Sequence, residues 1–270
     1  MPDTCWICVT CGTQLAPSGE APAACPICTD ERQYVPDSGQ RWTTLDALRA
    51  THRNAFQRIQ PGLCGIGTVP AFAIGQRALL LQSPGGNVLW DCIALLDDAT
   101  TDIINALGGL SAIAISHPHY YTTMVEWAHT FDCPVYLHAA DREHVMRPDP
   151  MLRFWEGETD AIGDGLTLIR CGGHFAGGTV LHWAGGADGR GALLSGDIVQ
   201  VIPDRRFVSF MWSYPNLIPL SAAAIDRIVS ALEPYPFERI YGAWWDAHVM
   251  QEGKAAVMRS AARYRAAIQS

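Results

Sequence analysis

The chain has 270 residues, 49% of them hydrophobic and 17% charged, which is the composition of a globular protein with a sizeable core. A net charge of −8 argues against a nonspecific nucleic-acid binder. No apolar run reaches the roughly 18 residues of a membrane helix, and the N-terminus Met1-Pro2-Asp3-Thr4-Cys5 lacks a basic segment followed by an apolar one, so a cytoplasmic protein is expected.

Five of the nine cysteines fall in the first 28 residues, and the others (Cys64, Cys92, Cys133, Cys171) are scattered in apolar contexts. Cys8-Val9-Thr10-Cys11-Gly12 and Cys25-Pro26-Ile27-Cys28 are two CxxC pairs separated by thirteen residues. That spacing suits a four-thiolate zinc site, each pair supplying two sulfurs to one tetrahedral ion. Cys5 with Cys8 is a competing CxxC pair; the glycine after Cys11 favours Cys8 and Cys11. Residues 1–35 therefore read as a separate unit resembling a rubredoxin-like zinc ribbon. The metal supplies the folding energy that so short a segment cannot draw from a core. Four thiolates leave no open position, so the expected role is structural or a contact for a partner, a second copy included.

Residues 36–64 are expected to form a helical linker. Thr43 or Thr44 would cap a helix carrying Leu45, Leu48, Ala55 and Phe56 to about Ile59, ended by Pro61-Gly62. From Gly65 the pattern alternates between strands and helices. Strands are expected at Ala71–Ile74, Ala78–Gln82, Val88–Cys92, Leu110–Ile115, Pro134–His138, Leu166–Arg170, Thr179–Trp183, Ala192–Ser195 and Arg239–Tyr241. Helices are expected at Ala99–Leu107, Met124–Phe131, Asp141–Met146, Ser221–Leu232 with Ser221 as cap, and Gly253–Ile268.

Chemistry-bearing residues gather where strands end. Ser116-His117-Pro118-His119-Tyr120-Tyr121-Thr122-Thr123 follows an apolar strand. Two histidines at i and i+2 do not share a helix face, but at a strand end they can converge on one metal, and Pro118 keeps the pair out of a helix. His174 follows Gly172-Gly173. Asp197 follows the strand Leu193-Leu194-Ser195-Gly196. His248 follows Tyr241-Gly242-Ala243-Trp244-Trp245-Asp246-Ala247.

This order resembles the metallo-β-lactamase fold superfamily: an HxH motif, a Gly-His, a Gly-Asp after a strand, and a late histidine after Tyr-Gly. The early stretch Leu79 to Asp91 is also similar to that family's opening strands. The resemblance covers roughly residues 65–255, and the whole segment 65–270 is assigned to this domain. It implies an α/β fold, an αββα sandwich with a metal cleft. In that family His117, His119 and His174 would hold the first metal, and Asp197 would bridge to a second one held in part by His248. The family's HxHxDH motif continues with an aspartate and a histidine; here those positions are Tyr121 and Thr122, both poor zinc ligands.

Three readings follow: one zinc or iron held by His117, His119, His174 and Asp197; a binuclear site completed by Tyr121 or Asp246; or a degenerate fold acting as a noncatalytic binding protein. The first implies a hydrolase in which metal-bound hydroxide attacks a carbonyl-type bond (ester, thioester or lactone) of a small apolar substrate. His248 and Tyr121 are then the candidates to orient water or protonate the leaving group. An iron-dependent redox enzyme is the remaining alternative. Phe154, Trp155, Phe207, Phe210, Trp212, Tyr214, Trp244 and Trp245 are expected to rim the pocket. Asp91 is expected to brace a metal histidine, and His138 is a weaker candidate for the same role. Changing Tyr121 to Asp and Thr122 to His is expected to raise metal occupancy.

Overall fold

The computed structural model describes residues 3–269. The chain forms two compact units, one running to residue 137 and including 141–154, the other comprising 138–140 and the chain from 155 onward.

The first unit carries the N-terminal cysteines, a short helix and a seven-stranded sheet. Helix α1 (Leu45–Thr51) starts at Thr44, whose hydroxyl accepts the Ala47 N–H at 3.3 Å, and it stops at His52. The expected helix to Ile59 is not formed. Instead β1 (Arg53–Gln60) pairs antiparallel with β2 (Leu63–Val69) across the turn at Pro61-Gly62. A seven-residue helix gains little by lengthening alone, whereas the hairpin gives every second backbone group a ladder partner. Residues 53–60 are therefore part of the sheet, not a helical linker.

The sheet continues through β3 (Arg77–Leu81) and β4 (Val88–Trp90), followed by α2 (Asp98–Ala106). Next come β5 (Ala112–Ala114), α3 (Met124–Phe131), β6 (Val135–His138) and β7 (Leu152–Trp155). Sheet order follows chain order, with β4, β5 and β6 parallel. Parallel neighbours joined by helices leave their C-terminal ends as the usual place for a ligand, and the histidine turn leaves β5 at such an end. Residues 71–74, expected as a strand, form a turn, with Ala73 at φ 54°. The expected helix at Asp141–Met146 is a 3-10 turn over Ala139–His144.

The second unit is a six-stranded sheet in chain order: β8 (Thr159–Gly163), β9 (Leu166–Arg170), β10 (Thr179–Trp183), β11 (Ala192–Gly196), then, past α4 (Ala222–Leu232), β12 (Arg239–Gly242) and β13 (His248–Val249). Only β11 and β12 are parallel, as the helical crossover α4 allows. Ser221 caps α4 by accepting the Ala224 N–H. Ile225, Ile228 and Leu232 of α4 are fully buried with Ile169, Val180, Leu193 and Ile240 of the sheet and Val257 of α5 (Gly253–Gln269). Each such aliphatic side chain contributes about 1.5–3 kcal/mol on burial. Leu168, Leu181 and Leu194, on the other face, are equally buried, so the central strands are covered on both faces.

In the aromatic segment from Phe207 to Tyr214, Phe207, Trp212 and Tyr214 are half-buried and only Phe210 among the aromatics is core. Phe210 has no exposure, and Phe207 lies under the Arg263 guanidinium at 4.0 Å. This segment is tied to α5 by Ser260, whose buried hydroxyl accepts the Val208 N–H at 2.8 Å and donates to Ala256 O at 2.6 Å. Ser260→Ala leaves the Val208 N–H unpaired in the core. The expected cost is about 1–3 kcal/mol, read as a lower urea midpoint at unchanged m-value.

Candidate metal centres

Cys8, Cys11, Cys25 and Cys28 converge, with all four sulfurs within 4.8 Å of one another and every side chain buried. The Cys8–Cys28 and Cys11–Cys25 pairs stand 3.6 Å apart. A tetrahedron with metal–sulfur bonds of about 2.3 Å has edges of about 3.8 Å, so the cluster has the dimensions of a four-thiolate centre. Hydrogen bonding from Cys11 and then Cys25 holds the Cys8 thiol below its ordinary range, while Cys11, bonded to Cys25 and buried, is pushed above it. Four buried thiols so close share protons unless a cation replaces them. Gln40 serves both knuckles: its amide donates to Cys8 Sγ at 3.1 Å and its carbonyl accepts the Cys25 N–H at 3.2 Å. Cys5 stands outside the cluster, half-buried, which decides between the two CxxC pairings in favour of Cys8 and Cys11. Cys92, Cys133 and Cys171 are pushed up to about 12 by burial and are neutral packing residues.

The histidine turn is buried throughout. His117 is extended, and Pro118–Tyr120 make one 3-10 turn leading to α3. The Ser116 hydroxyl meets His117 Nδ1 at 2.9 Å, the His117 and His119 rings are 5.2 Å apart, and Tyr120 packs edge-on against His117 at 4.4 Å. Asp91, at φ 60° and fully buried, accepts the Ser116 N–H at 2.8 Å. It thus braces the residue before the histidine and not, as expected, a histidine itself. Burial raises the Asp91 carboxyl to about 7, opposed only by the Ser116 hydrogen bonds. At the far end, Thr123 Oγ1 donates to Ala94 O at 2.9 Å and Trp127 Nε1 to Ile93 O at 3.0 Å. Burial, and then the Asp141 charge, push the Tyr121 phenol well above its usual range, so Tyr121 stays protonated.

His174, after the positive-φ pair Gly172-Gly173, donates from Nδ1 to the Trp212 carbonyl at 2.6 Å, the tautomer in which Nε2 carries the lone pair. The Tyr214 ring lies 5.6 Å from it, and the Tyr214 hydroxyl donates to Asp197 O at 2.5 Å. Asp197 is buried just past β11. His248 pairs with Tyr241 in β13, stacks edge-on against it, and lines a cavity of about 390 Å³ with Arg205, Arg206 and Arg259. His117 and His119 stand side by side in the first unit, and His174, Asp197 and His248 belong to the second.

Two other histidines are accounted for by backbone carbonyls. His138 donates to Gly157 O and accepts the Ala140 N–H, both at 3.1 Å, and its edge packs on Trp155. His182, which strand alternation would allow to face solvent, is buried and bonded to Pro236 O at 2.7 Å. Burial lowers the pKa of both.

The uncharacterized protein YmaE of Bacillus subtilis (strain 168) is 50% identical over 267 residues, 98% of this chain and 97% of that protein. The chain belongs to the YmaE family. No family model matches it. Among solved structures, VMB-1 superposes on 80% of this YmaE-family chain with a TM-score of 0.60 at 11% identity, covering 98% of VMB-1. DIM-1 metallo-β-lactamase exposed to ceftazidime covers 81% at 0.58 and 12% identity, 98% of its own length. A Cronobacter sakazakii metallo-β-lactamase with a HARLDQ motif covers 79% at 0.51 and 20%, 92% of its own length. At these identities the likeness shows the fold. The YmaE-family chain has a metallo-β-lactamase α/β fold with an N-terminal four-cysteine cluster. Among the described residues no helix is long and apolar enough to cross a membrane.

Ser116, the Trp212 carbonyl and Gln40 were not singled out in the sequence; a serine abutting the histidine motif and a glutamine near the second CxxC were the only signals available. Asp91 makes stability depend on pH with a known sign. Its folded value of about 7 exceeds an unfolded value of about 3.9, so between those limits the native state keeps a proton that the unfolded chain has released. Stability therefore falls as pH rises from about 4 to 7 and levels off above. Asp91→Asn keeps an acceptor for Ser116 and removes that slope. Urea midpoints of the metal-free proteins from pH 4 to 8 should diverge in favour of Asn toward neutral pH.

Proposed function

We propose that this protein is a metal-dependent hydrolase with one metal in the cleft, acting on a carbonyl-type bond (ester, thioester or lactone) of a small substrate. The observation that carries this reading is a set of buried histidines, His117 and His119 in the first unit and His174 in the second, which we assign to one metal. Two of them are oriented through Nδ1, His117 by Ser116 and His174 by the Trp212 carbonyl. Outer partners of this kind are what metal-binding histidines use to fix their tautomer. A zinc or iron ion held there supplies Lewis-acid polarisation of the carbonyl and acidifies water. Asp197 is assigned to the same centre as a further oxygen ligand, and zinc to the four-cysteine cluster.

The chain's own residues then divide the remaining work. The Tyr214 ring, 5.6 Å from the His174 ring, gives the His174 side an aromatic face suited to an apolar group. His248 is the residue assigned to orient water or protonate the leaving group, since an imidazole exchanges a proton near neutral pH and the buried Tyr121 phenol, with its pKa raised, gives its proton up reluctantly. A single cleft metal is favoured over two because Tyr121 is held protonated and Thr122 is turned against the cysteine unit.

Elemental analysis of the purified protein should give two metals per chain. In His117→Ala/His119→Ala one of them should be lost, and hydrolysis of a thioester and lactone panel should fall by at least about 100-fold, equivalent to about 3 kcal/mol. A single metal retained in that variant would overturn the proposal. Iron with oxygen-dependent turnover would redirect it to redox chemistry.

A further inference from the structure

The cysteine cluster has no part in the hydrolytic chemistry, yet it is built onto the histidine turn. Gly12, at φ 81° directly after Cys11, comes so close that a Cβ there would lie 3.2 Å from Ala73 Cβ and 3.4 Å from Thr122 Cγ2. Its N–H closes the first cysteine knuckle on Cys8 O at 2.8 Å. Two residues on, the Gln14 N–H donates to Thr122 O at 3.1 Å. The Gln14 side chain donates to Glu126 on α3 at 3.1 Å, and Arg147 donates to both Gln14 and Glu126 at 2.5 Å. Met146, next to Arg147, packs on the cysteines themselves and accepts the Ala16 N–H at 3.0 Å.

Thr122 needs such support. It is β-branched and buried, and it sits at φ 38°, where a side chain of this kind is strained. It lies three residues from His119, in one continuous buried turn. Whatever fixes Thr122 also fixes the direction in which the chain leaves the histidines.

We propose that metal loading of the four-cysteine cluster latches the histidine turn in its ligating conformation. The metal closes the Cys8–Cys11 knuckle, the knuckle presents Gly12 and the Gln14 N–H, and these hold Thr122 and the start of α3. Without that metal the knuckle loosens, Thr122 loses its partners, and His117 and His119 lose their common aim. The coupling is reciprocal: metal at the histidines tightens the cysteine site in turn. The part concerning affinity rests on the histidines holding a metal; the latch itself does not. A further consequence reverses the expectation from the family motif. Because the Thr122 methyl faces Gly12, Thr122→His places a larger ring against the knuckle and unseats it, and does not add a ligand.

The test is amide hydrogen exchange of the full chain, read over residues 116–126, with zinc titration of the cleft in parallel. In Cys8→Ser/Cys28→Ser the turn should exchange at least about tenfold faster while residues 166–196 keep their protection. Gln14→Ala removes the bonds to Glu126 and Arg147 but keeps all four cysteines. It should show the same faster exchange and an about tenfold weaker cleft site, with the cobalt-substituted cysteine centre still showing its thiolate charge-transfer bands. Turn protection and cleft affinity unchanged in both variants would overturn the latch. Faster exchange in a protein whose His117→Ala/His119→Ala form loses no metal would keep the latch and remove the cleft-metal reading instead.

Discussion

A turn that is closed off from water must find a protein partner for each backbone group it exposes to the interior. Every residue from 112 to 125 is buried, although only 112–114 are strand and only the end of the stretch is helix. Loops usually run over the surface to avoid this cost. Here the partners are supplied from three directions. Asp91 takes the Ser116 N–H, Gln14 gives its N–H to the Thr122 carbonyl, and the side chains of Thr123 and Trp127 pin the end of the turn to the carbonyls of Ala94 and Ile93. Much of the first unit around the turn is explained by the need to deliver those groups.

The same constraint explains why the brace is a carboxylate although burial disfavours its charge. A single acceptor must reach from the end of β4 to the end of β5, and Asp91 does so at the left-handed backbone position that follows Trp90. Partial protonation lowers the cost of keeping a carboxyl there. The Ser116 hydroxyl beside it is held at His117 Nδ1, so the brace and the His117 imidazole are linked through one serine. His174 obtains its orientation by other means, from a main-chain carbonyl in the segment that Ser260 anchors. Orientation by backbone is insensitive to side-chain substitution at Trp212; orientation by Ser116 is not.

What could be read from the sequence was what local chemistry dictates. The cysteine spacing gave the cluster, since a CxxC turn has few ways to offer two sulfurs. The helices at Met124–Phe131 and Ala222–Leu232 and the strands Leu166–Arg170 and Thr179–Trp183 lie where apolar periodicity put them, because each buries one unbroken stripe. The Arg53–Gln60 strand was misread as helix because the half-buried Asn54 and Phe56 carry an alternation that Ile59 and Gln60 do not continue, too weak to outvote Leu45 and Leu48 upstream; β2 decides its conformation. Phe210 was misassigned to a pocket rim because aromatic content does not tell core from wall. The contact of Gln14 with Thr122 joins residues far apart in the chain, and no spacing rule encodes it.

That contact gives the missing half of the HxHxDH motif a physical meaning. A residue in the position of Thr122 can point a ligand toward a second metal or turn its backbone and side chain to a neighbouring unit, but not both. In this chain the position is given to docking: its carbonyl accepts from the cysteine unit, its methyl faces Gly12, and the residue before it is a phenol that burial keeps neutral.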